Sequence, residues 1–480
     1  MTIEKLDVAI IGAGTAGLSA RSEVAKVTDN YRVFDPGPYG TTCARSACMP
    51  SKAFIQSAHD FHRRHDFAAL GIDGADRLQV DTARVLAEVR HIRDGLVDSV
   101  IDGMQSWRDT HLVPERARFE EDGILCAGEA RFRPQATVIA TGSRPVIPEG
   151  WREILGDRLL TSDDLFELPE LPKRIAVVGL GPVGLELGQS LARLGVEVTG
   201  FDPNLTIGGL QDPELLSRLR EGLASEMTIL GAAAEPVDTD ETGATLRWDG
   251  GEIVVDHVLV AMGRAPSLDG LGLEALGVHL GENGFEDLSD GRLNLPGTRL
   301  YFAGDSGPGP AILHEASDEG RIAGYFAARD ENAVFRRRTP LRMVFCDPQI
   351  AVAGQTWDTL EARQDEIAIG EAAFDGSGRT RLQRAHGGAL RIYAEKATGR
   401  LLGAAIVAPE AEHIAHFLAY AITREDDLSG LLRTPTYHPT HEEVLRRALR
   451  ATLAQCDVET ADLEAIRCSD APVDHDMDRG

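Results

Sequence analysis

Over the first 35 residues the alternation of apolar and polar positions changes period twice. Residues 6–11 (Leu-Asp-Val-Ala-Ile-Ile) form an apolar run of strand length, Gly12-Ala13-Gly14-Thr15-Ala16-Gly17 interrupts it, and a helical pattern runs to about Thr28. A second strand, residues 31–34, ends in Asp35. In such a unit the first glycine permits a tight turn, the second lets backbone approach a pyrophosphate, and the third lets helix pack on strand. The closing acid accepts hydrogen bonds from ribose hydroxyls. The unit then repeats: residues 174–178 lead into Gly179-Leu180-Gly181-Pro182-Val183-Gly184, a helix to Leu194, and a strand over 196–201 that ends in Asp202. Gly12 to Asp35 and Gly179 to Asp202 each span 23 positions. Two copies of one dinucleotide-binding unit predict two dinucleotide sites and electron transfer between them.

Between the copies, residues 82–108 read as one long amphipathic helix whose stripe (Val85, Leu86, Val89, Ile92, Leu96, Val97, Val100, Ile101, Met104) should face the core. An apolar strand closing on Ala140-Thr141-Gly142-Ser143-Arg144-Pro145 has a counterpart after the second unit in Ala261-Met262-Gly263-Arg264-Ala265-Pro266. Each is a turn where backbone can approach a ligand. A third strand ends in Ala303-Gly304-Asp305, with a helix expected from about Ala311. After Arg329 the pattern shifts to short strands near 341–346, 351–354, 389–395 and 401–408, a helix near 410–424 and a final helix over 444–455, which suggests a separate α+β domain. The last stretch, 456–480, is acidic, poor in apolar residues, and reads as a mobile tail.

Composition narrows the picture. At 480 residues the chain is too long for one core, and its formal charge of −27 argues against nucleic acid as a partner. No apolar run approaches the length of a membrane span and the N-terminus does not read as a signal peptide, so a cytoplasmic protein is expected. In that compartment a static disulfide framework is disfavoured, and a catalytic or incidental role for paired cysteines gains weight. Cys43 and Cys48 lie five positions apart in a loop running into a helix, where a thiol is stabilised as thiolate. Lys52 follows closely in a chain with only five lysines among 49 basic residues. Cys126 and Cys346 sit in strand-like contexts and are expected in the core; Cys456 and Cys468 belong to the tail. No cluster outside these motifs has metal-ligand spacing, so no metal is expected.

The combination of the two glycine fingerprints, Cys43-x4-Cys48-Met-Pro-Ser-Lys52, Ala-Thr-Gly-Ser-Arg-Pro, Met-Gly-Arg-Ala-Pro, Ala303-Gly-Asp305 and His438-Pro-Thr-x-x-Glu443, in that order, resembles the pyridine nucleotide–disulfide oxidoreductases. The resemblance covers residues 5–455 and is greatest to a divergent member of their dihydrolipoamide dehydrogenase group. It implies an α/β fold of two Rossmann-like dinucleotide-binding domains plus a C-terminal α+β dimerisation domain. The expected boundaries are 1–148 and 269–338 for FAD, 149–268 for NAD, 339–455 for the interface and 456–480 for the tail. It also implies roles. FAD would be held by Gly12, Gly14, Gly17, Asp35, Thr42, Lys52, Ala117, Thr141, Gly142, Asp305, Ala311, Leu313 and His314. The nicotinamide dinucleotide would be held by Gly179, Gly181, Gly184, Glu186, Asp202 and Gly263. Cys48 would lie against the flavin and Cys43 would exchange with substrate, Lys52 and Glu186 would pair beside the flavin, and His438 with Glu443 would form the acid–base dyad. His441, Glu442 and His314 are competing groups that the motif alone sets aside. The resemblance further implies a homodimer whose dyad reaches the partner's cysteines.

Asp202, with no Arg or Lys over 203–210, favours free ribose hydroxyls and hence NAD over NADP. The expected activity is oxidation of protein-bound dihydrolipoyl groups through a Cys43–Cys48 disulfide and FAD to NAD+. A reductase of another disulfide (glutathione, mycothione or coenzyme A type) and an assembly component docked on a lipoyl-bearing complex are the alternatives. Three departures from the group's usual pattern bear on the substrate: Thr41 and Ala47 where Gly is usual, and Thr436 where His is usual.

Overall fold

The computed structural model describes residues 2–278, 288, 292–329, 331, 333 and 335–458. The chain divides into two units, Met1–Leu205 with Thr228–Arg337, and Thr206–Met227 with Arg338–Gly480. Cys468 and residues 459–480 of the expected tail lie outside the described residues.

The first unit is built on two sheets whose central strands run parallel. In the first, Ile3–Ile11 lies between Tyr31–Phe34 and Ala130–Ile139, parallel to both, and Leu300–Phe302 adds in parallel to Ala130–Ile139. Apolar strands buried on both faces suit that position: Val8 and Ile10 point to one core with Val33, Val138 and Phe326, Ala9 and Ile11 to another with Phe34 and Phe302. In the second sheet Arg174–Val178 pairs in parallel with Glu197–Phe201 and His257–Val260. A two-stranded ribbon joins the glycine turns after the two sheets, Ser143–Pro145 running antiparallel to Arg264–Pro266.

The second unit is a five-stranded antiparallel sheet in the order Leu341–Val344, Gln349–Gly354, Leu401–Ala408, Ala389–Glu395, Ile367–Ala373. The helices Ala411–Thr423 and Glu442–Leu453 cover it, burying Leu418, Ala448 and Leu449 against Phe374, Ile392 and Ile406. The helix Pro213–Leu223 belongs to this unit. Its capping residue, Asp212, is fully buried as a side chain and accepts from Glu214 N at 3.1 Å, from Arg391 Nη1 at 2.6 and 2.7 Å, and from Tyr393 Oη at 2.5 Å. Burial and the Asp212 carboxylate push the Tyr393 phenol up.

Two expectations change. The helix expected over 82–108 ends at Asp102, with Gly103 as its cap, and a second helix, Gln105–His111, follows. Within Thr82–Asp102 only Leu86 and Val89 of the apolar stripe are buried, because the C-terminal half of this helix lines a cleft beside Cys43; Met104, beyond its end, is buried in the core. Cys126 is half-exposed: within Leu125–Ala127 its neighbours point inward, and strand alternation turns the thiol toward Arg118 and Arg131. Cys346 is buried, as expected.

Candidate active site

The two glycine turns are built alike. Gly12 (φ +107°) and Gly179 (φ +91°) sit where a Cβ would be driven into the carbonyl oxygens of Ala140 and Ala261, and a Cβ at Gly17 or Gly184 would strike the carbonyl of Gly12 or Gly179. These four glycines serve packing. Gly14 and Gly181, by contrast, have nothing within 4 Å of an added Cβ, which leaves an open approach for a ligand at the start of the helices Thr15–Val24 and Pro182–Arg193. Asp35 accepts from Ala13 N at 2.6 Å and Gly37 N at 2.7 Å; Asp202 accepts from Leu180 N at 3.2 Å and Asn204 N at 3.1 Å. Each acid therefore holds its own glycine turn.

A cleft of about 370 Å³ in this unit brings together Gly14, Thr42, Gly142, Gly181, Gly263 and Asp305 with the thiol pair, Ala311 and Leu313. Gly142 (φ +70°) and Gly263 (φ +97°) leave open space at its edge. Asp305 accepts from Ser143 Oγ at 2.8 Å, and Arg264 binds Ser143 through Oγ and the carbonyl oxygen, both at 2.9 Å. Ser143 and Arg264 thus tie the two glycine turns to Asp305, a role the sequence motifs did not single out. Thr141 Oγ1 is buried without a hydrogen-bond partner, a polar atom positioned for a ligand. The residues present fit FAD and a nicotinamide dinucleotide. Ala117, buried in the strand Ala117–Phe119, and His314, 3.9 Å from Glu315, lie outside the lining of the cleft.

Cys48 opens the helix Cys48–His62, and the two thiols stand free and hydrogen-bonded to each other. The bond from Cys43 is the main reason the Cys48 thiol is pulled down to about 7, with the Lys52 ammonium and the Cys48 backbone N–H adding to it against burial and Glu186. Cys43, as the donor, is pushed well above the ordinary thiol range by that bond and by burial. When the pair loses a proton, this asymmetry favours the charge on Cys48. Lys52 Nζ bonds Glu186 Oε2 at 2.8 Å, which joins the thiol-bearing helix to the helix of the second glycine turn. Both thiols line the main cleft, and Cys43 also lines a second, apolar cleft with Leu18, Met49, Leu96 and Val100. Thr41, at φ +61° and ψ 149°, holds a conformation that favours glycine, and its side chain accepts from Ala44 N at 3.2 Å.

The His–Glu pair lies in the second unit. His438 Nδ1 is 3.0 Å from Glu443 Oε1 and 3.1 Å from Oε2, and this contact holds the Glu443 carboxyl below its usual range. With 76% of its side chain exposed, His438 leaves Nε2 available. His441 is no rival: it is 4% exposed, its Nε2 bonds Gln383 Oε1 at 2.7 Å, and burial lowers its basicity.

Comparison with known proteins follows these lines. Residues 6–320 match the family model for the pyridine nucleotide–disulphide oxidoreductases and residues 341–449 match the dimerisation domain of that family. A dihydrolipoyl dehydrogenase of Halobacterium salinarum is 30% identical over 93% of this chain and 96% of its own. Among solved structures, LpdA from Mycobacterium tuberculosis superposes with a TM-score of 0.79 at 23% identity, over 93% of this chain and 99% of that one. The Cu(II) complex of the HOCl-induced flavoprotein disulfide reductase RclA from Escherichia coli does so at 0.78 and 21%, over 91% and 98%. These two likenesses speak to fold. No helix among the described residues is long and apolar enough to cross a membrane. The family is FAD-dependent and uses a nicotinamide dinucleotide, and the chain belongs to the pyridine nucleotide–disulphide oxidoreductases.

Proposed function

We propose that the protein is a homodimeric, cytoplasmic dihydrolipoyl dehydrogenase that oxidises dihydrolipoyl groups on a carrier protein and reduces NAD+. The observation that carries this reading is the placement of the asymmetric thiol pair in one cleft with both glycine turns. In the oxidised enzyme a substrate thiolate attacks Sγ of Cys43, the Cys43–Cys48 bond breaks, and the electron pair leaves on Cys48, the sulfur whose charge the Lys52 ammonium favours. His438, oriented by Glu443, takes the proton of the attacking thiol. The second substrate thiol then attacks the mixed disulfide at the substrate sulfur, closes the cyclic disulfide and expels Cys43, which takes up a proton. Two electrons have passed from substrate to the cysteine pair. FAD, when bound, supplies the two-electron relay from that pair to the nicotinamide. Asp202 favours NAD over NADP because its carboxylate suits ribose hydroxyls and repels a 2′-phosphate.

Steady-state rates with NAD+ and NADP+ against dihydrolipoamide, reduced glutathione and a purified lipoyl protein test the reading. Dihydrolipoamide with NAD+ should give the highest kcat/KM. Faster turnover with NADP+, or of glutathione, would overturn it.

A further inference from the structure

Thr41 stands two positions before Cys43 in a conformation that threonine rarely adopts. Its φ of +61° and ψ of 149° fall where glycine is the usual occupant, and a branched side chain fits there poorly. Strain of this kind persists only where the surroundings hold it. On one side, Gly40 (φ +118°) packs so closely that an added Cβ would lie 2.7 Å from Val97 Cγ1. On the other, the chain winds into a single helical turn, Thr42–Arg45, with Cys43 inside it. Arg45 N donates to the Thr41 carbonyl at 3.1 Å, and Ser46 N and Ala47 N both donate to the Thr42 carbonyl at 3.0 Å. A turn this short is marginal, because helix nucleation fixes several dihedral angles for few bonds. One side-chain bond adds to it: Ala44 N donates to Thr41 Oγ1 at 3.2 Å, which ties the residue after Cys43 to the residue two before it. Glycine suits the backbone here but has no acceptor to offer. Thr41 and Cys43 also line the same apolar cleft, so the strained residue lies at the site itself.

Building on the reading of Cys43 and Cys48 as the redox pair, we infer that Thr41 is a positioning residue for Cys43: its hydroxyl closes the turn that holds the Cys43 thiol against Cys48. The bond from Cys43 is the main reason the Cys48 thiol stands at about 7. A turn that opens withdraws that donor, and the Cys48 titration then rises toward the ordinary thiol range.

The test follows iodoacetamide alkylation of the reduced, FAD-loaded enzyme against pH in three variants, with the labelled cysteine identified by mass spectrometry. Thr41→Val keeps the side-chain shape and loses the acceptor, Thr41→Ser keeps the acceptor, and Thr41→Gly loses the acceptor while relieving the backbone. T41V and T41G should both move the thiolate midpoint up by about 0.5–1 unit, a fall of about three- to tenfold in thiolate below the midpoint. T41S should stay within about 0.2 unit of the parent enzyme. T41G should also unfold at higher denaturant than T41V, since it alone relieves the angle. A thiol shift common to both then reports the lost hydroxyl and not lost stability. A parental midpoint in T41V or T41G, or a T41S shift as large as that of T41V, would overturn the inference. Should T41V fail to fold, T41G, whose backbone suits the angle, decides against T41S. The titration needs no substrate, so failure of the parent enzyme to turn over dihydrolipoamide would count against the lipoyl reading alone.

Discussion

Replacing Lys52 by Gln removes the one ammonium beside Cys48 while leaving both thiols in place. Lys52 lies one turn after Cys48 in the same helix, about 6 Å along its axis. At an effective dielectric near 20 a unit charge at that distance is worth about 3 kcal/mol. Lys52 is one-third exposed and half-neutralised by Glu186 at 2.8 Å, which reduces the effect on the thiolate to about 1.4 kcal/mol, or one pKa unit. Since Cys48 stands near 7, the K52Q titration should move to about 8, and the thiolate population at pH 7 should fall about fivefold. Glu186→Gln should act in the opposite sense, because its carboxylate opposes the Cys48 thiolate. The readout is the pH dependence of iodoacetamide alkylation of the reduced enzyme, with the labelled cysteine identified by mass spectrometry. The two thiols titrate as a pair, so the midpoint belongs to both and the label tells which sulfur reacts. Shifts of the same sign in the two variants, or a K52Q shift below about 0.3 unit, would refute the electrostatic account.

Further outcomes follow from other parts of the molecule. Gly14→Ala should leave the fold intact and lower flavin content after gel filtration, while Gly12→Ala should destabilise the unit outright, since only the latter Cβ meets backbone. Gly181→Ala should raise KM for NAD+ without changing flavin content. Glu443→Gln should lower kcat with dihydrolipoamide by about 10²-fold while sparing NADH oxidation by artificial acceptors, as expected when the imidazole loses its orienting carboxylate. Asp212→Ala should lower stability by about 3 kcal/mol, read from the denaturant midpoint, because it leaves the nearly buried Arg391 guanidinium with only the longer 3.8 Å pairing to Glu371.

Much of the site was readable in the sequence because its parts are local. Each fingerprint spans few residues, its glycines act through backbone geometry, and Asp35 and Asp202 bond to amides 22 positions away within one βαβ unit. Helix ends fell within a few residues of expectation for the same reason. The strand Ile367–Ala373 was missed: it is an edge strand whose burial depends on the final helix, where Gly370 leaves no room for a Cβ against Thr452 and Ala448. Periodicity alone ran the helix past Gly103, and it assigned to a core the stripe residues that line the cleft beside Cys43. Ser143 and Arg264 escaped notice because their bonds join segments about 120 residues apart. The charge asymmetry of the thiols was implied only through the family resemblance, with Cys48 as the thiolate; spacing alone could not give it, since it rests on a hydrogen bond between side chains and on which of the two begins a helix.

If Asp202 selects the coenzyme as proposed, its hold on the second glycine turn limits how that choice can change. One of its oxygens anchors Leu180 N inside the second glycine turn and the other anchors Asn204 N just beyond it. Neutralising or shortening this residue to admit a 2′-phosphate would therefore loosen the second glycine turn, and on the proposed reading either coenzyme would lose by it. A lineage adopting NADP has to leave position 202 in place and introduce cations among residues 203–210, where none now stands. On that reading one carboxylate serves both coenzyme choice and local architecture, so a change of coenzyme has to come from the residues beside it.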